Sequence, residues 1–246
     1  MIQGIVFDLG DTLVTQDSLL GSPACYEGAE AILPIVLEYG QQATSCDQLA
    51  DLVGEHLHEA VVQAYEGNLA QPEADLILGQ ALREVECELP PELARPTLDS
   101  FFEPFYQRME PIGEIVSTLT FARGLGLRLG LLANVLWGEH ILRERLAKLG
   151  IANFMSAIVL SPEMGWMKPY PVLFREIIRR LNLEPGQLVM VGDDPVVDVA
   201  GAQRAGLRTV WKRRFPDQTA DFDVEPDLCI DDIRQILPAV AELMVQ

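Results

Sequence analysis

VMVGDDPVVDVAGAQRAG, residues 189–206, is the stretch whose reading decides the fold. With Leu188, its first residues form a short β-branched, apolar run of the kind that makes a buried strand. Gly192, Asp193 and Asp194 end that run, and Pro195 then stands where a helix accepts proline best, at its first position. Helical spacing continues to about Ala205, with Asp198 inside the first turn. A strand that turns into a helix through a polar corner is part of a strand–helix–strand unit. Three carboxylates crowd this corner. One of them can cap the helix, but three repel one another unless a cation or hydrogen bonds compensate. A hard divalent cation with oxygen ligands accounts for the cluster, and Mg²⁺ is the usual one beside phosphates.

The same alternation extends in both directions. Strands are expected at 2–7, 127–133, 157–160, 208–211 and 228–230, and helices at 112–124, 138–149, 171–181 and 231–244. From 16 to 109 the character changes to helical spacing punctuated by Gly and Pro, at 26–39, 46–65, 73–85 and 92–108. These patterns predict an α/β fold: a doubly wound parallel sheet from residues 1–15 and 110–246, with a smaller all-helical domain, 16–109, inserted after the first strand. Ligands of such sheets sit beyond the carboxyl ends of the strands. Asp8, Asn134 and Asp193 all fall at such ends, so three distant segments should meet in one crevice.

Composition narrows the function. The 246 residues carry 18 basic and 37 acidic side chains, a formal charge of −19. Nucleic acid and anionic membrane surfaces both need clustered cations, so neither is an expected partner. The four cysteines are scattered without a CxxC pair, which predicts reduced thiols and a cytoplasmic setting. No signal-peptide pattern opens the sequence, and no apolar run reaches the roughly 18 residues of a membrane helix.

Two further stretches complete the pattern. FDLGDTLV, residues 7–14, places Asp8 at the end of the first strand, followed by Gly10, Asp11 and Thr12. GWMKPYPVLF, residues 165–174, carries Lys168 just before a helix. The chain holds three lysines against fifteen arginines, so an ammonium here is a departure from its habit. A compact ammonium suits a point contact to a carboxylate and a phosphate oxygen. Taken singly, such an aspartate is a turn former and such a lysine a solvated one.

Taken together, in order and context, these stations resemble the haloacid dehalogenase superfamily of hydrolases. The likeness comprises the opening aspartate motif, a helical cap inserted after it, the polar strand end LLANVLWG at 131–138, the KP lysine and the GDxxxxD acids. The resemblance implies a Mg²⁺-dependent phosphatase acting on a small phosphorylated metabolite through an aspartyl-phosphate on Asp8. It also implies that the metal is held by Asp8, the main-chain carbonyl of Gly10 and Asp193, with Asp198 or Asp194 acting directly or through water. Lys168 would steady the nucleophile, and Asn134 with the backbone at Ala133 would bind the transferring group.

Two departures from the family pattern bear on rate. The phosphatases usually carry a second aspartate two residues after the nucleophile, as acid and base. This chain has Gly10 there, and Asp11 one step later is either a stand-in proton donor or a turn residue, the latter being favoured. Ala133 replaces the usual Ser or Thr. A catalytically impaired binding protein and a metal-independent dehalogenase are the alternatives. A nucleotide-binding protein would want a glycine-rich phosphate loop, which GDTLVTQDS does not supply. Between residues 15 and 107, seventeen acids face two basic residues, Arg83 and Arg95. That balance points to a monophosphate with a neutral or cationic leaving group. Trp137, Trp166 and Tyr170 are read as packing residues, His56, His58 and His140 as ordinary ones, and Lys212-Arg213-Arg214 as a solvated loop.

Overall fold

The computed structural model describes residues 1–215, 218–219 and 224–245. The chain opens with β1 (Gly4–Phe7), every residue of which is buried. Four helices follow: α1 (Pro23–Tyr39), α2 (Cys46–Glu66), α3 (Ala74–Glu84) and α4 (Pro91–Gln107). Then come α5 (Ile115–Gly124), β2 (Arg128–Ala133), α6 (Glu139–Lys148), β3 (Ala157–Leu160) and the short α7 (Ser161–Met164). The last part runs through α8 (Pro171–Leu181), β4 (Leu188–Gly192), α9 (Gly201–Arg204), β5 (Arg208–Lys212), β6 (Leu228–Ile230) and α10 (Ile236–Leu243).

Among the described residues the strands form one six-stranded sheet in the order β3-β2-β1-β4-β5-β6, every neighbouring pair parallel. This is the α/β fold expected from the alternation, with the helical insertion between β1 and β2. Parallel strands need crossovers that return along the sheet face, and those from β1 to β2, β2 to β3, β3 to β4 and β4 to β5 carry helices. α8 packs on β2 and β3, while α5 packs on β2 and α10 on β5 and β6. Leu173, Phe174, Ile177 and Leu181 recur on one stripe of α8 and join Val6, Leu132, Val159 and Met190 in one apolar cluster. Burying each such side chain contributes roughly 1.5–3 kcal/mol.

Three local differences have simple causes. The helix expected over 231–244 splits into a 3-10 turn, Ile233–Gln235, and α10. Asp232 caps that turn by accepting from the Arg234 amide, and Pro238, which has no N–H, sits within the first turn of α10. The helix expected from 195 begins as a π-helical stretch, Pro195–Ala200, because the amides of both Asp198 and Val199 point at the Asp194 carbonyl. α7 was too short for periodicity to reveal, although Pro162 and the left-handed Gly165 bracket it.

The chain folds as two compact units. One comprises Met1–Thr15, Glu110–Asn134 and Leu146–Gln246; the other comprises Gln16–Met109 and Val135–Arg145. In the second, α1 packs on α2 and α4, and α3 on α2 and α4. Ser45 and Gln48 form a reciprocal capping box that starts α2. α1 and α4 approach closely at Gly28, where an added Cβ would lie 2.4 Å from the Phe101 carbonyl oxygen. None of the seventeen acids between 15 and 107 is buried, so they form solvated faces.

Candidate active site

The sheet order sets β1 between β2 and β4, with Phe7 opposite both Leu131 and Val191. Asp8, Asn134 and Asp193 therefore leave their strands at the same carboxyl edge. Asp8 is tied there by its amide, which donates to the Val191 carbonyl at 2.9 Å. Asp8, Asp193 and Asp198 are all buried, and one carboxylate oxygen of each lies within 4.8 Å of the others. Lys168 stands against two of them. Its Nζ donates to Asp8 Oδ1 at 2.5 Å and to Asp198 Oδ1 at 2.7 Å. Among the described residues only five Asp, Glu, Lys or Arg side chains are buried: Asp8, Lys168, Asp193, Asp198 and Lys212. All five are in this cluster.

Charges cost several kcal/mol to bury unless they are paired, so the electrostatics of the cluster are unbalanced. Burial pushes the Asp198 carboxyl up to about 8, against the pull of Lys168 and with the push of Asp8 and Asp193. Burial likewise pushes Asp193 up to about 6, with Asp8 adding to it and Arg214 opposing. Burial works against the charge of Lys168, but Asp198 and Asp8 outweigh it and hold its pKa above the ordinary lysine range. Three buried acids thus crowd one another even with Lys168 against Asp8 and Asp198 and Arg214 against Asp193. Their oxygen-only donor set and close spacing fit a hard divalent cation.

The neighbouring contacts divide the labour. Asp194, the third acid of the corner, is the helix cap: its Oδ1 accepts from the amides of Val196 and Val197, both at 2.8 Å. The Asp194 amide in turn donates to Asp198 Oδ2 at 3.2 Å. Gly192 leaves room for this arrangement, since a Cβ there would sit 2.3 Å from Asp198 Oδ2. Asn134 braces the lysine: its Oδ1 accepts from the Lys168 amide at 2.7 Å and its Nδ2 donates to the Lys168 carbonyl at 3.1 Å. Ala133 is fully buried as the last residue of β2 and presents a methyl where the resembled family usually carries a hydroxyl.

The loop after β1 is a tight turn. The amides of Leu13 and Val14 both donate to the Leu9 carbonyl, and the Asp11 amide to the Val14 carbonyl. Gly10 stands at the start of this turn, and Asp11 adopts a left-handed φ of 52°. The Asp11 carboxylate lies 3.5 Å from Arg214 Nε. Thr12 is buried, with its Oγ1 3.4 Å from Asp193 Oδ1.

Lys212-Arg213-Arg214 is not the solvated loop that its composition indicated. Lys212 is the buried last residue of β5 and donates to the Asp11 carbonyl, and Arg214 Nε donates to Asp193 Oδ2. Arg213 is half-buried and pairs with Asp231, and Arg214 keeps an exposed side chain while it makes its bond to Asp193. The signal available beforehand was the rarity of lysine: two of the chain's three lysines are in this cluster. Trp166 and Tyr170 stack on each other with ring centroids 4.1 Å apart and pack against the α8 cluster. Trp137 belongs to the helical unit, where its indole donates to Asp99 at 2.7 Å beneath the Arg95 guanidinium. His56 pairs with Glu84.

Comparison with known proteins bears on this geometry. Residues 2–206 match the family model of the haloacid dehalogenase-like hydrolases. The glyceraldehyde 3-phosphate phosphatase of Methanopyrus kandleri is 32% identical over 250 residues, 99% of this chain and 99% of that protein. The phosphoserine phosphatase of Thermus thermophilus is 36% identical over 173 residues, 70% of this chain and 67% of its own length. Among solved structures, a 2-haloacid dehalogenase of Pseudomonas syringae pv. Tomato has a TM-score of 0.71 at 25% identity, covering 98% of this chain and 99% of that one.

Proposed function

The chain belongs to the haloacid dehalogenase-like hydrolase family, and from that premise we propose that it is a divalent-metal-dependent phosphatase of a small phosphorylated metabolite. The observation that carries this reading is the buried cluster of Asp8, Asp193 and Asp198 around the Lys168 ammonium. Asp8 is the nucleophile, aimed by its bond to Lys168. Its carboxylate oxygen attacks phosphorus as the ester P–O bond breaks, giving an aspartyl-phosphate and a leaving alkoxide that takes a proton from solvent. Water then cleaves the acyl phosphate, releasing inorganic phosphate and restoring Asp8. Lys168 offsets charge on the transferring group. Asp8, the Gly10 carbonyl, Asp193 and Asp198 would hold Mg²⁺, which when bound neutralises phosphoryl charge beside the nucleophile.

The phosphatases of Methanopyrus and Thermus support a substrate of about three-carbon size carrying one phosphate. The scarcity of cations in the helical insert supports a leaving group that is neutral or cationic. A screen of phosphorylated metabolites with and without Mg²⁺, using Asp8→Asn as the blank, tests the reading. Expected is Mg²⁺-dependent phosphate release that Asp8→Asn abolishes. Turnover that persists in Asp8→Asn would refute the nucleophile assignment. A second reading, a metal-independent dehalogenase, draws on Gly10 and on the likeness to the Pseudomonas enzyme. It predicts halide release from 2-haloacids that survives EDTA.

A further inference from the structure

Three residues at the end of β5 grip the two loops that carry the acids. Trp211 Nε1 donates to the Asp193 carbonyl at 2.8 Å, and Arg214 Nε donates to Asp193 Oδ2. Lys212 Nζ donates to the Asp11 carbonyl at 2.7 Å, and Arg214 Nε lies 3.5 Å from Asp11 Oδ2. In the sheet, β4 separates β5 from β1, so Lys212 and Arg214 reach past the neighbouring strand to the first loop. The two loops present like charges to each other, which drives them apart.

We propose that Lys212 and Arg214 are positioning residues of this site, a cationic clamp that holds the Asp11 turn against Asp193 and presents Asp193 to the divalent cation. The proposal rests on the metal-dependent reading above. Four observations support it. Lys212 is one of two buried cations among the described residues, and a buried ammonium is retained only where it is paired. Its burial lowers its pKa, and Asp193 and Asp11 pull it back. The Asp11 turn is met by both cations, Lys212 at its carbonyl and Arg214 Nε 3.5 Å from its carboxylate. Metal-ligating carboxylates characteristically use a second hydrogen bond to fix their direction, which is what Arg214 supplies to Asp193. On this reading the Asp11 carboxylate, 3.5 Å from Arg214 Nε, serves the clamp and not proton transfer.

The test is Mg²⁺ binding to the full chain by titration calorimetry, for the parent, Arg214→Gln, Arg214→Lys and Lys212→Met. Arg214→Gln and Lys212→Met should weaken Mg²⁺ at least about tenfold, as loss of such outer partners typically does. Arg214→Gln should do so while still folding with one cooperative melting transition, and Arg214→Lys should recover part of the affinity. Unchanged affinity in Arg214→Gln overturns the proposal. Tighter binding overturns it too, and makes the guanidinium a competitor of the metal. A metal-free measurement separates the clamp from the functional reading: a double-mutant cycle of Asp11→Asn and Arg214→Gln on the urea midpoint. The two shifts should be non-additive, the double variant unfolding no earlier than Arg214→Gln, and additive shifts overturn the clamp. If the parent binds no Mg²⁺ while the cycle shows coupling, the metal-dependent reading fails and the cross-link between the loops stands.

Discussion

At position 10 the chain carries a glycine where its resemblance leads one to expect an acid, and the neighbouring Asp11 is turned towards Arg214. With Asp11 serving the proposed clamp, a leaving oxygen has no carboxyl on this loop to protonate it. Esters with good leaving groups should therefore be hydrolysed much faster than alkyl phosphates. Gly10→Asp should raise kcat on an alkyl monophosphate by about 10²–10⁴, the usual worth of a positioned acid. Steady-state rates on alkyl and p-nitrophenyl esters check this, and an unchanged rate ratio argues that protonation is not limiting. A second residue-scale outcome concerns Gly192, whose added Cβ would collide with Asp198 at 2.3 Å. Gly192→Ala should push Asp198 off Lys168 and lower kcat on the order of 10²-fold, as misplacements of about 1 Å do. Asp8, Lys168, Asp193 and Asp198 could be found in the sequence because each is an odd residue type at a strand or helix end. Arg214 could not, and Lys212 only through the rarity of lysine, because their partners lie 21 and 201 positions away and composition alone reads such a run as solvated.

Elements were the most legible scale, since strands and helices of this size announce themselves by apolar spacing. What spacing could not show is which helix supports the site. α8 begins three residues after Lys168 and buries Phe174 completely beneath Gly201, whose added Cβ would lie 2.5 Å from the ring. Phe174→Ala should cost about 3–5 kcal/mol, because the backbone at Gly201 cannot readily close over the void. Equilibrium urea unfolding measures it, and a loss below about 1 kcal/mol would mean that the site collapses freely. The π-helical start at Pro195–Ala200 was likewise hidden. It arises from two amides sharing one carbonyl, a matter of three-dimensional fit at the Asp194 cap and not of residue type.

At the scale of the whole molecule, the buried acids couple stability to pH and to metal. Asp193 and Asp198 sit at about 6 and about 8, above the ordinary 3.8 of an aspartate, first because of burial. Between those values the folded chain holds more protons than the unfolded one, so stability falls as pH rises from about 4 to 8. Urea unfolding in EDTA should show that decline, and Asp198→Asn should flatten it. Saturating Mg²⁺ should raise the melting midpoint most at the alkaline end, where the carboxylates are free of protons. A midpoint indifferent to Mg²⁺ at pH 8 would count against the metal site. None of the described helices is long and apolar enough to cross a membrane, and the four cysteines are free thiols. The sequence by itself determined the alternating strands and helices, the insertion after the first strand and the four stations, because apolar period and residue chemistry are local properties. Only the tertiary structure decided that Asp194 caps while Asp193 and Asp198 face Asp8, that Asn134 braces Lys168, and that β5 reaches across to Asp11. Those outcomes depend on strand order and side-chain direction, which arise when the sheet closes and charges remote in the chain must share one buried space.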